Sequence, residues 1–187
     1  MSFSTTKQGD DEMGSTTSRR WVLTERPAGI PDANTFNLEE VPLADLEEGQ
    51  VRVRVTHFSL DPGMRPALSR DTYVGATPIG SLITSAGVGV VEESRSEKLK
   101  EGDFVSGGFG WQSALVARDK HCVKHDPRLF EGKVTPTAAI GILGIPGMTS
   151  WFGLKEIGQL AEGETVLISS ASGPVGATAG QLASWPG

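Results

Sequence analysis

The chain has 187 residues, 37% of them hydrophobic and 21% charged, which excludes disorder along its whole length and suffices for one core or slightly more. A net charge of -6 and a pI near 5.1 argue against nucleic acid or an anionic membrane as partner, since both select clustered Lys and Arg, and point to a small molecule. The single cysteine, Cys122, excludes an intramolecular disulfide and a cysteine metal cluster and suits a reducing compartment.

Residues 1–18, MSFSTTKQGDDEMGSTTS, are polar, with Asp10, Asp11 and Glu12 in place of an apolar signal core. No apolar stretch reaches the roughly 18 residues of a membrane span. A disordered leader on a cytoplasmic protein is expected. Structure is expected to begin at Arg19, where WVLTERPAGIP gives a short strand ended by Pro27, Gly29 and Pro31.

From Gln50, VRVRVTHFSL sets Val51, Val53 and Val55 against Arg52, Arg54 and Thr56, the period-2 pattern of a strand with one buried and one wet face. Shorter strands are expected at Gly87–Glu92, Phe104–Ser106 and Ala114–Ala117, with turns at Glu101-Gly102-Asp103 and Gly107-Gly108. Short strands punctuated by glycine predict a small, irregular β-barrel.

The texture changes near Gly132 to Pro136. TAAIGILGIPGMTSWFGLKEIGQL spaces its apolar residues as helices do, and Pro146 and Gly147 are expected to break it into two. The last segment, ETVLISSASGPVGATAGQLASWPG, predicts a strand over Thr165–Ser169 and a helix from about Pro174 to Ser184, one βα unit. Its continuously apolar Val166-Leu167-Ile168 suits a parallel strand covered on both faces, whose return strand is expected beyond Gly187.

Between that strand and helix lies Ala171-Ser172-Gly173-Pro174-Val175-Gly176, which fits the dinucleotide fingerprint G-x-G-x-x-G with alanine first. Glycine at 173 would let the backbone approach a pyrophosphate, the helix N-terminus would offer free N–H groups, and Gly176 would allow close packing. Pro174 at the first helical position forfeits no hydrogen bond. A βα turn in any doubly wound fold also tolerates these residues. The residue that would choose between NAD and NADP, about 20 positions on, falls outside the chain.

Taken in order, WVLTERPAGIP, HFSLDPGMR, SAGVGVVEES, EGDFVSGGFGWQ, GIPGMTSWFGL and ISSASGPVG resemble the zinc-free branch of medium-chain dehydrogenases/reductases that includes prostaglandin, curcumin and NADP-dependent alkenal reductases. The resemblance runs from about Arg19 to the end. It implies a GroES-like, mostly β barrel over 19–133 and the start of a Rossmann NADP-binding domain over 134–187. It further implies a homodimer at full length and hydride transfer from NADPH to the β-carbon of an α,β-unsaturated ketone or aldehyde.

By the same resemblance, Ala171, Ser172, Gly173, Pro174, Val175 and Gly176 would hold the pyrophosphate, and Met148 and Thr149 would approach the nicotinamide and its ribose. Asp61, Met64, Arg65 and Trp151 would border the substrate. The family usually has tyrosine where this chain has Gly63 and Trp151, which unsettles any substrate preference carried over. The zinc-dependent cousins' Gly-His-Glu triplet is replaced by GSLITSAGVG, so no catalytic metal is expected. No residue is assigned as catalytic, and the sole tyrosine, Tyr73, is given no such role.

His121, Cys122 and His125 lie close in sequence but lack a fourth ligand; Cys122 is expected to pack and the histidines to be solvated. His57 reads as structural and Asp103 as a turn residue. Asp61 and Arg65, four apart, are expected to pair and fix a loop of the cleft. The chain is expected to be an inactive fragment of an enone or enal reductase. Two alternatives stay open: an interaction module that pairs through its strand edge, and a quinone reductase of the same superfamily.

Overall fold

The computed structural model describes residues 15–72, 75–130, 132 and 134–185, so the leader up to residue 14 and Tyr73 lie outside the described residues. Among the described residues seven strands, all paired antiparallel, build a mostly β domain of the expected GroES-like kind. Strand β1 (Thr17–Leu23) pairs with β2 (Phe36–Pro42). Strand β3 (Gln50–Phe58) leads into a short helix, α1 (Met64–Ser69). Then come β4 (Gly87–Ser94), β5 (Phe104–Gly107), β6 (Ala114–Arg118) and β7 (Val123–Lys124). The five-stranded sheet runs β6-β3-β4-β5-β7.

Strand β1 closes the barrel. Backbone bonds join Leu23 to Ser81, Ile83 to Trp21, Trp21 to Trp111, and Ser113 to Arg19, so one strand fastens two distant segments. The strand starts two residues before the expected boundary. Ser18 is buried in it and accepts the N–H of Ala114 at 3.2 Å.

The alternation along β3 places Val51 and Val53 in the core with Val91, Leu99, Val105 and Phe109. Its wet face is only half wet. Arg52 is buried, donating to Glu93 at 2.7 Å and to the carbonyl of Ala44 at 3.2 Å, because the register shifts between Arg52 and Val53. Arg54 stays exposed against Glu92. Phe109, 2% exposed, fills the barrel because Gly107 has no side chain: a Cβ there would lie 2.6 Å from the Phe109 ring. A second core joins Leu23, Leu68 and Ile83, flanked by Phe36, Met64 and Trp111.

Beyond the barrel, a 3₁₀ turn (Pro136–Ile140) precedes helix α2 (Ile145–Trp151), which widens into a π turn over Phe152–Ile157. The expected break at Pro146 and Gly147 is corrected: Pro146 sits at the start of α2, where its missing N–H is harmless. The interruption lies earlier, at Gly141–Gly144. Helix α3 (Pro174–Ala183) forms where the sequence placed it.

The strand expected at Thr165–Ser169 is not formed. Among the described residues nothing pairs with it, so its apolar run stays extended without a ladder, and Leu167 is 97% exposed. An apolar run supplies the burial preference of a strand but not the neighbour that defines one. No helix among the described residues is long and apolar enough to cross a membrane.

Candidate functional site

Helices α2 and α3 pack together and carry the glycine turn. Ser150, on the inner face of α2, lies 2.7 Å from the carbonyl oxygen of Val175 and 2.9 Å from that of Pro146. The segment leading into α2 folds tightly against its first turn because Gly147 lacks a side chain; a Cβ there would fall 1.7 Å from the carbonyl oxygen of Ile142.

In the turn, Ser170 takes a left-handed backbone (φ 51°) and its carbonyl accepts the N–H of Gly173 at 2.9 Å. A Cβ on Gly176 would lie 2.5 Å from the Ser170 carbonyl oxygen and 2.8 Å from the Ala171 Cα, so the turn folds directly onto the helix. Gly173 differs. A Cβ there would meet only the Ser170 oxygen, in a tight 3.3 Å contact that a shift of a few tenths of an ångström relieves, so the crowding is far milder than at Gly176.

Pro174 has no N–H, the first backbone bond into α3 runs from Ala177 to Gly173, and the N–H groups of Val175 and Gly176 have no partner among the described residues. Two free donors and the positive end of a helix dipole are the donor set a pyrophosphate requires, so these residues fit a dinucleotide.

The turn faces the barrel across a cleft of about 1180 Å³. One wall is Gly173, Pro174, Val175 and Gly176 with Met148, Leu143 and the extended run Val166–Ser170; the other is Ser59, Asp61, Ala86, Ser106, Gly107 and His125. Most of this surface is apolar. On the barrel wall the Ser59 hydroxyl donates to Asp61 at 2.7 Å, and Ser106 Oγ lies 2.8 Å from His125 Nε2. Burial beside Phe104 and Phe130 pushes the His125 imidazole below its ordinary range.

Of the residues singled out in the sequence, the structure brings Asp61, Met148, Gly173, Pro174, Val175 and Gly176 to this cleft. Ala171 and Ser172 are exposed in the turn, off the cleft wall. Thr149 turns its hydroxyl back to the carbonyl of Ile145 at 2.8 Å, and Trp151 lies outside the wall. Met64 and Arg65 border a separate hollow of about 330 Å³ with Asp61, Phe36 and Trp111.

The Asp61–Arg65 pair does not form. Arg65 donates to the Ser69 hydroxyl and the Gly29 carbonyl, because α1 turns its guanidinium away, while Asp61 is taken by Ser59. His125, expected to be solvated, is half-buried and bonded to Ser106. His57 is exposed beside Thr56, and Cys122 packs against the barrel core. Among the described residues no three of His, Cys, Asp and Glu gather closely enough to hold a metal.

Residues 19–125 match the family described as the N-terminal domain of oxidoreductase. The NADPH-dependent curcumin reductase of Escherichia coli (strain K12) is 41% identical over 166 residues, 88% of this chain and 47% of that protein. Prostaglandin reductase 1 of Rattus norvegicus is 31% identical over 170 residues, 91% and 50% respectively. The crystal structure of CurA from Vibrio vulnificus, 31% identical, superimposes with a TM-score of 0.78 over 89% of this chain and 48% of that one. The same protein in complex with NADPH gives 0.74 over 88% and 48%. The chain thus spans about half the length of the curated relatives it matches.

Proposed function

The chain belongs to the family of oxidoreductase N-terminal domains, in the medium-chain dehydrogenase/reductase branch, and from that premise we propose that its protein is an NADPH-dependent reductase of α,β-unsaturated ketones and aldehydes. The observation that carries this is the free pair of N–H donors at Val175 and Gly176, opening on an apolar cleft against the barrel. Residues 19–133 serve as the substrate-side barrel, and residues 134–187 begin the nucleotide-binding domain.

NADPH, when bound, supplies the hydride that goes to the β-carbon; the resulting enolate takes a proton, so the C=C bond becomes C–C and the carbonyl is restored. Gly173 leaves room for the diphosphate, and the N–H groups of Val175 and Gly176 bind it. Gly176 lets the turn sit on α3, and Ser150 ties α2 to α3 so that Met148 stays on the cleft wall. The apolar lining suits a hydrocarbon-rich substrate. Asp61 and Ser59 mark the barrel side of the same space. A cytoplasmic homodimer completes the proposal, on the resemblance described above.

The test is NADPH consumption by the full product of the coding sequence with an alkenal, an enone and a quinone in parallel, with product identification. Saturated aldehyde or ketone is the expected product. Consumption with the quinone alone would replace this reading by that of a quinone reductase.

A further inference from the structure

The most completely built polar feature of the cleft has no part in the cofactor site. Ser106 lies in β5 and is only 8% exposed, yet it lines the cleft. Its Oγ is 2.8 Å from Nε2 of His125. Strand pairing brings the two together: β5 pairs with β7 with Ser106 opposite Val123, and the His125 N–H continues the ladder to the Phe104 carbonyl at 3.0 Å. The imidazole lies 6.0 Å from the rings of both Phe104 and Phe130. Its Nδ1 has no hydrogen bond among the described residues.

A neutral imidazole has one N–H and one bare nitrogen, and a serine hydroxyl has one proton and two lone pairs. With the proton on Nε2, His125 donates to Oγ and the Ser106 proton is free for a ligand. With it on Nδ1, Ser106 must donate to His125 and offers a ligand only lone pairs. A carbonyl oxygen, which can only accept, selects the first state.

The other polar side chains of the barrel wall are less suited to it. Ser59 spends its proton on Asp61, and the Asp61 carboxylate repels a carbonyl oxygen. The charges flanking His125 are satisfied elsewhere, Lys124 by Asp103 at 2.7 Å and Asp126 by Arg128.

We propose that Ser106 is a specificity-determining donor to the carbonyl oxygen of an enone or enal in the cleft, and that His125 is its positioning residue, holding the hydroxyl proton toward the ligand. The substrate class rests on the reductase reading above. The donor itself is tested by binding, without turnover.

The test uses the whole chain with benzylideneacetone as the ketone probe and β-ethylstyrene as its counterpart without oxygen. Dissociation constants come from tryptophan quenching and the His125 tautomer from imidazole nitrogen NMR. The ketone is expected to bind about tenfold tighter than the hydrocarbon, the worth of one buried hydrogen bond. Ser106→Ala brings that ratio to about one while hydrocarbon affinity holds, and Ser106→Thr keeps it. His125→Leu loses the preference, and His125→Gln, which retains an N–H, restores part of it. Ketone binding moves His125 to the Nε2–H form in the wild type and not in Ser106→Ala.

An unchanged ratio in Ser106→Ala, a His125 signal indifferent to the ketone, or no binding of either probe would overturn the proposal. Failure of the reductase reading looks different: the ratio and the tautomer shift survive while the full product consumes no NADPH with enones.

Discussion

The Ser150 hydroxyl on α2 stands 2.7 Å from the carbonyl oxygen of Val175 on α3, within the stretch that offers its N–H groups to the cleft. One hydroxyl proton serves two acceptors, Val175 and Pro146, and the side chain is 3% exposed, so water cannot replace it. Ser150→Ala should therefore lose about 1 kcal/mol of stability, a drop of roughly 2–4 °C in Tm. Thermal melts followed by circular dichroism would show it, and an unchanged Tm would mean that the link contributes nothing.

Two glycines of the turn should respond differently to a methyl group. Gly176→Ala drives Cβ to within 2.5 Å of the Ser170 oxygen and should cost about 1–3 kcal/mol, weakening NADPH binding as the turn backs away. Gly173→Ala meets a single milder contact at 3.3 Å, so it should cost less stability than Gly176→Ala while NADPH affinity falls about tenfold or more. Calorimetric titration of both variants with NADPH, beside their melting curves, separates the roles. Equal behaviour of the two would contradict this division.

Cys122 should be inert. Burial, aided by Asp119, pushes its thiol up to about 11, and only the thiolate is nucleophilic. Iodoacetamide at mildly alkaline pH should alkylate the native chain at least about tenfold more slowly than the urea-unfolded one. Comparable rates would show that the barrel opens readily at β7.

Stability should fall on mild acidification. Burial holds His125 below the ordinary histidine value of about 6.5, so the unfolded chain takes up a proton at a higher pH than the folded one. The stability is full above about pH 6.5 and is lost as the pH falls toward the lower folded value. Asp126, held to about 2 by Arg128, titrates below this window. Urea midpoints from about pH 7 to about pH 5 should decline more steeply for the wild type than for His125→Gln. Coincident slopes would remove His125 as the cause.

The legible parts of the fold were those encoded locally. Alternating valines announced β3, and Gly173-Pro174 announced the start of α3, because each signal lies within one element. Strand β2 gave no such signal: among the described residues FNLEEVP pairs with β1 alone, leaves Leu38 exposed and so needs no clean alternation. Val166-Leu167-Ile168 misled for the opposite reason, having a strand's composition and no pairing partner. Arg52 was read as wet because a register shift cannot be seen in a pattern of valines and arginines.

The site divides the same way. The glycine turn is contiguous and was found, whereas Ser106 and His125 are 19 residues apart and meet only through the β5–β7 ladder. A histidine after a short strand gives no hint of which hydroxyl it will face.

The fastening of β1 sets a timetable for the molecule's birth. Ser18 and Arg19 find their partners at Ser113 and Ala114, more than ninety residues later in the chain. At roughly 5–20 residues per second, the first strand, paired early with β2, waits about 5–20 s on the ribosome before this far fastening exists. For the first part of that interval Val22 and Leu23 lack the partners that later cover them, Leu82 beside Val22 and Leu68 and Ile83 against Leu23. A pause in translation ahead of residue 83 therefore prolongs the exposure of this strand's apolar face more than one after it.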